Sequence, residues 1–302
     1  MKKGHLVYYG LLLLLAWAFY AYFTFQSSAL KTVQGLGFTP LEVDVVVLAI
    51  IIPYGVIWFI GLYGALSLRS YVQTILNTPD GGAFARIDVG LFILVLSVVV
   101  PSFLGAILTA STSMPELVVP LTLVINYSYT ILPFIAFGII YVGTIGLTKL
   151  VKRGPLSLLQ RSVFLIPLVA FAVLYFWLTF TIPNVTTVYH LPDILIIFTL
   201  LVPALLAWVF GILASVNMGF YRREVQGIIY KRSAALLVKG VLTLTVGHIF
   251  YLVISSLGPY LSSVGTGALL AIIYLFLAVL GLGYLFVAQG AKRLSRLEGD
   301  LS

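Results

Sequence analysis

Apolar residues in this chain neither alternate nor keep to one side of a helix; they run on. Uninterrupted hydrophobic stretches fall at about 6–25, 43–68, 89–110, 119–148, 162–181, 193–218, 233–256 and 267–288, with ends good to a few residues. Each is long enough to cross a hydrocarbon core of about 30 Å at 1.5 Å per residue. Barrel strands are excluded, since those would be about ten residues long with alternating polarity. The pattern predicts an all-α polytopic membrane protein, a bundle of eight transmembrane helices forming a single domain over residues 1–302. A cleaved signal peptide competes for the first stretch, with Ser27-Ser28-Ala29 as its site. The run is longer than the usual 7–15 residues and crowded with Trp17, Phe19, Tyr20, Tyr22 and Phe23, which favours a retained helix.

The positive charges orient the bundle. With the N-terminus in the cytoplasm and eight crossings, sixteen of the seventeen Lys and Arg residues fall at the inner face and only Lys31 falls outside, as the positive-inside rule requires. With Glu42, Asp44, Glu116 and Asp193 outside, the outer face carries −3 and the inner face +11. The expected location is the cell membrane, with both termini cytoplasmic. The expected partners are the bilayer, with anionic lipids at the basic face, and either a protein subunit or a second copy. Nucleic acid is not expected, because the charges are scattered over short loops. The longest inner loop is read as Arg69 to Asp88, around the turn-rich Asn77-Thr78-Pro79-Asp80-Gly81-Gly82. A second basic loop runs from Gly219 to Arg232.

A cadence recurs along the chain. The second stretch carries Pro53, Trp58 and Gly61, and the sixth carries Pro203, Trp208 and Gly211 at the same offsets of five and eight. Two parallel four-helix repeats, residues 1–150 and 151–302, would produce it. The competing explanation is that Pro, Trp and Gly are common in membrane helices. Small-residue strips such as Gly240, Thr243 and Gly247 read as helix–helix seams, because in lipid close backbone approach is what such residues supply.

Composition narrows the chemistry. The chain is 61% hydrophobic and 9% charged, without cysteine, so thiolate nucleophiles, thiolate metal sites and cysteine-held clusters are excluded. Only one of three histidines, His248, lies deep, which disfavours bis-histidine haem. Neither the zinc motif H-E-x-x-H nor the nucleophile elbow G-x-S-x-G occurs. No acidic residue is expected deep in a helix, which argues against a simple ion relay. No cofactor or metal and no catalytic residue is expected.

Depth separates the remaining polar groups. Lys239 lies about 9 Å from the centre of its stretch, near enough to the inner interface for its stem to reach water. His248 lies about 4–5 Å from that centre and cannot. It reads either as a neutral imidazole bonded between helices or as a ligand site. Thr245 and Tyr251 flank it at three residues. Should the fourth and seventh stretches face each other, Asn126 and Tyr129 would join them around a cavity. The sequence thus predicts a non-catalytic membrane subunit, scaffold or sensory module. A permease or binder for a neutral or lipophilic molecule is the alternative, followed by a lipid or isoprenoid enzyme using His248 as base.

Overall fold

A computed structural model describes residues 3–25, 40–110, 115–151, 169–170, 172–174, 176–177, 193–261 and 266–299. These residues are helices and short turns, with no strand among them. The helices are α1 (Lys3–Phe25), α2 (Pro40–Ile75), α3 (Gly81–Ala110), α4 (Pro115–Leu150), α5 (residues 193–224), α6 (Ile228–Leu261) and α7 (Thr266–Gly299). All seven are long and apolar enough to cross a membrane. The predicted fifth stretch, 162–181, falls mostly outside the described residues; those described within it are helical.

The helices outrun the hydrophobic stretches. The expected loop from Arg69 to Asp88 shrinks to residues 76–80 between α2 and α3. There Gly81 N–H donates to the Thr78 carbonyl at 3.0 Å, and Phe84 N–H to Asp80 at 3.0 Å. The loop from Gly219 to Arg232 shrinks to Val225–Gly227. Gly227 has φ +90°, a left-handed conformation glycine adopts at little cost. Arg222 and Arg223 instead lie in the last turn of α5, where cations complement the helix dipole. Asp88, expected at the inner surface, lies about 10 Å along α3 and is buried, with Arg69 as its opposing charge.

Prolines 53, 101, 120 and 133 sit inside helices that continue through them. Pro203 is accommodated differently. A π-helical turn, Ile197–Leu201, precedes it, relieving the clash between the proline ring and the preceding turn.

Helices α2 to α7 close into a ring in chain order, with α7 returning to α2; α1 lies outside against α2 and α3. Gly55 is where α1 docks, because a Cβ there would stand 2.6 Å from Trp17 Cδ1. The Trp17 Nε1–H donates to the Ile51 carbonyl at 3.1 Å. Successive ring members are antiparallel at α3–α4 and α6–α7. At two places they are parallel. Ile57, Gly61 and Gly64 of α2 meet Gly281, Tyr284 and Ala288 of α7 in the same order. On α4 and α5, Phe134 meets Phe210, and further along Thr144 meets Asn217.

The seams recur along the chain. Gly61 packs on Val95, and Gly211, 150 positions later, packs on Thr245, also 150 later. Gly90 faces the Ile140 side chain and the Ala136 carbonyl; Gly240 faces the Val287 side chain and the Gly283 carbonyl. Gly143 meets the Ala83 carbonyl, Ile87 and Arg86; Gly290 meets the Ser233 carbonyl, Leu237 and Leu236. From α2 to α5 and from α3 to α6 the shift is 150; from α4 to α7 it is 147. Burial follows suit: Trp58 and Trp208, Leu68 and Met218, and Tyr71 and Tyr221 are all buried.

Candidate functional site

A cavity lies inside the ring, between α2, α3, α4, α6 and α7. Its polar lining is Tyr54, Ser97, Tyr129, His248, Tyr251 and Tyr284. Leu94, Val98, Pro133, Leu244, Phe276 and Leu280 complete the wall. The volume open to the centre of a water molecule is about 30 Å³. One water needs roughly 10–15 Å³ by this measure, so the space suits about two waters or a molecule of similar size.

Each polar group is placed by its helix. Tyr284 crosses from α7 to α3, its hydroxyl donating to the Leu94 carbonyl at 2.7 Å. Its ring lies over Gly61, where a Cβ would stand 3.1 Å from the ring edge. The rings of Tyr129 and Tyr251 meet at a 36° tilt with centroids 4.2 Å apart, and Tyr129 also reaches the Ser102 side chain. Ser97 Oγ–H turns back to the Leu94 carbonyl at 2.7 Å, as serines in apolar helices commonly do.

His248 differs from these. It is 8% exposed, its ring lies 6.4 Å from that of Phe137, and its buried Nε2 has no hydrogen-bond partner among the described residues. An unpaired buried polar atom costs roughly 1–3 kcal/mol, and this one belongs to a residue that lines the cavity.

Three of the five sequence-predicted residues, His248, Tyr129 and Tyr251, meet at this cavity. Thr245 does not, although it is one turn from His248. It is fully buried against Gly211 of α5, and its hydroxyl donates to the Val241 carbonyl at 2.8 Å. Asn126 is half-buried one turn beyond Tyr129 and is not part of the lining. Tyr54, Tyr284 and Ser97 escaped the sequence reading. Tyr54 carried a usable signal: it lies at the middle of its stretch, whereas tyrosines gather at membrane interfaces.

Chemically, the site is a cluster of groups that both donate and accept hydrogen bonds. Among the described residues, no Asp, Glu, Lys or Arg lines it. No cluster of metal-ligating residues occurs among the described residues. None of the protein families, curated proteins or solved structures compared with the chain matches it.

Proposed function

We propose that the chain is a non-catalytic integral protein of the cell membrane that binds a small neutral molecule in the cavity around His248, acting as a permease or a ligand-responsive module. The observation that carries this reading is the unpartnered Nε2 of His248, a residue that lines, with four tyrosines and no charged side chain among the described residues, an enclosed space. A general base would need a second group to act with, and the lining offers no carboxylate. The size of the space favours a compact polar ligand over a lipid.

The eight-span topology belongs to the same proposal. Helices α4 and α5 run parallel, so the chain between them must return from one membrane face to the other. Residues 152–192 hold one apolar stretch, 162–181, able to do so, and only a helix or a closed barrel satisfies the backbone in lipid. Eight crossings with cytoplasmic termini bring the basic residues to one face, beside anionic headgroups. The shifts of 150 and 147 support two parallel four-helix repeats. The cavity then lies on the pseudo-two-fold axis, with the repeat-related pairs Leu94 and Leu244, Pro133 and Leu280, and Tyr129 and Phe276 facing across it.

The test is stopped-flow measurement on proteoliposomes with water, ammonia, urea and glycerol as probes. The expected result is a flux, or a saturable binding signal, for one of them that His248→Val abolishes while the protein remains folded. If His248→Val leaves every probe unaffected, the site reading is lost. Inactivity with all probes, together with a protein that co-purifies stoichiometrically, would support a subunit or scaffold instead.

A further inference from the structure

A second concavity opens on the outer, lipid-facing side of the ring. It is a groove of about 480 Å³ between α3, α4 and α5, lined by Arg86, Phe134, Ile135, Gly138, Ile139, Val142 and Phe210. Its long wall is α4 from Phe134 to Val142, roughly 12 Å of helix. Its depth comes from Gly138, where an added Cβ would find only Phe210, at 3.5 Å. Phe210 is held flat, stacked on Tyr141 at 5.4 Å and on Phe134 at 6.0 Å.

One end of this apolar groove is charged. Arg86 sits five residues into α3, just before its hydrophobic stretch, is exposed, and stands level with Gly143, beside Val142. The opposite end, at Phe134, is near the middle of its span. Arg86 has no acidic partner among the described residues. The repeat-related position is Leu236, so helix packing alone does not call for an arginine there. A guanidinium where an apolar groove meets the membrane interface favours an anion, and its planar fork suits phosphate oxygens. The order is cation at the inner end and aromatic and aliphatic wall toward the midplane, which is the order of a phospholipid in the inner leaflet.

We propose that this groove is a binding site for an anionic phospholipid, with the phosphate on Arg86 and one acyl chain along α4 over Gly138 and Phe210. The assignment to the inner leaflet rests on the topology proposed above. Binding itself does not, and it is independent of the cavity at His248, so failure of one reading leaves the other standing.

Native mass spectrometry of the purified full chain tests it, with phosphatidylglycerol and phosphatidylcholine of the same acyl chains as probes. The intact protein should retain phosphatidylglycerol roughly tenfold better, the scale of one charge-assisted hydrogen bond. Arg86→Gln should remove that preference and Arg86→Lys keep part of it. Gly138→Leu, which fills the groove without touching the charge, should weaken both lipids. Lys231→Gln, an exposed cation elsewhere on the inner face, should change neither. Equal retention of the two lipids, a preference that survives Arg86→Gln, or one lost equally through Lys231→Gln would overturn the proposal. Displacement by inorganic phosphate would overturn the acyl-chain part.

Discussion

The first half of the ring, α2 to α4, and the second, α5 to α7, agree where helices touch and disagree where the cavity opens. At several seam positions the paired residues keep their size and burial: Gly90 and Gly240, Trp58 and Trp208, Ile87 and Leu237. At the cavity each polar residue has a counterpart without its polar group. Tyr54 pairs with Ala204, Ser97 with Gly247, Tyr129 with Phe276, Tyr284 with Phe137, and His248 with Val98. In lipid, packing depends on close approach of backbones, so the closest contacts call for residues of matched size. A cavity wall has no such constraint, and there the two halves differ in polarity. That contrast marks the cavity as the place where the sequence departs from what packing requires.

The largest effect should come from breaking a seam. A Cβ at Gly240 would lie 2.6 Å from Val287 Cγ2 and 3.0 Å from the Gly283 carbonyl oxygen; at Gly90 it would lie 2.7 Å from the Ala136 carbonyl oxygen. In both cases the obstacle includes backbone, which cannot swing aside. Gly90→Leu and Gly240→Leu should each lower the stability of the bundle by about 3 kcal/mol or more, at the upper end of overpacking costs. Denaturation by sodium dodecyl sulfate in mixed micelles measures this. The comparison between halves fails if one substitution is severe and the other neutral.

Tyr284→Phe makes one cavity position match its counterpart Phe137. It removes the hydroxyl that donates to Leu94 at 2.7 Å. The Leu94 carbonyl lies in mid-helix, so it keeps its helical bond and is not orphaned. The expected loss is about 1 kcal/mol, the net value of a neutral hydrogen bond, read by the same titration. A loss as large as at the glycines would mean that Tyr284 holds the ring together and does not merely line its centre.

These differences also explain what was legible beforehand. Apolar run length revealed the spans, because lipid imposes it. It missed helix ends, because segments such as Arg69–Ile75 and Gly81–Asp88 remain helical past the hydrophobic stretch, and hydropathy measures lipid contact, not hydrogen bonding. The order of helices in the ring was not legible: lipid-facing Val142 and bundle-facing Ile140 are equally apolar. The cadence of Pro, Trp and Gly was visible because those residues set close approach. The match between α4 and α7 was harder to see, because its shift is 147, not 150. At the site, His248 stood out by depth alone. Thr245 did not join it, because helical spacing says which residues are neighbours and not which neighbour a side chain faces. Tyr284 reaches the cavity through a contact nearly two hundred residues away in sequence, beyond any local pattern.

The smallest effect is expected at a polar seam contact that the other half lacks. Asn217 Nδ2–H donates to Thr144 Oγ1 at 3.2 Å between the parallel helices α4 and α5. The corresponding positions on α2 and α7 are Ser67 and Ala291, a shorter hydroxyl side chain and a methyl. Since α2 and α7 pack closely without such a bond, Asn217→Ser should be mild. Hydrogen bonds between membrane helices average about 0.6 kcal/mol, because each partner finds other acceptors when they separate. The Thr144 hydroxyl loses nothing essential, as it already donates to the Tyr141 carbonyl at 2.8 Å. A loss well above 1 kcal/mol would show that α4 and α5 depend on polar pairing in a way that α2 and α7 do not. The resemblance between the halves would then stop at shape and not extend to the forces that hold the helices together.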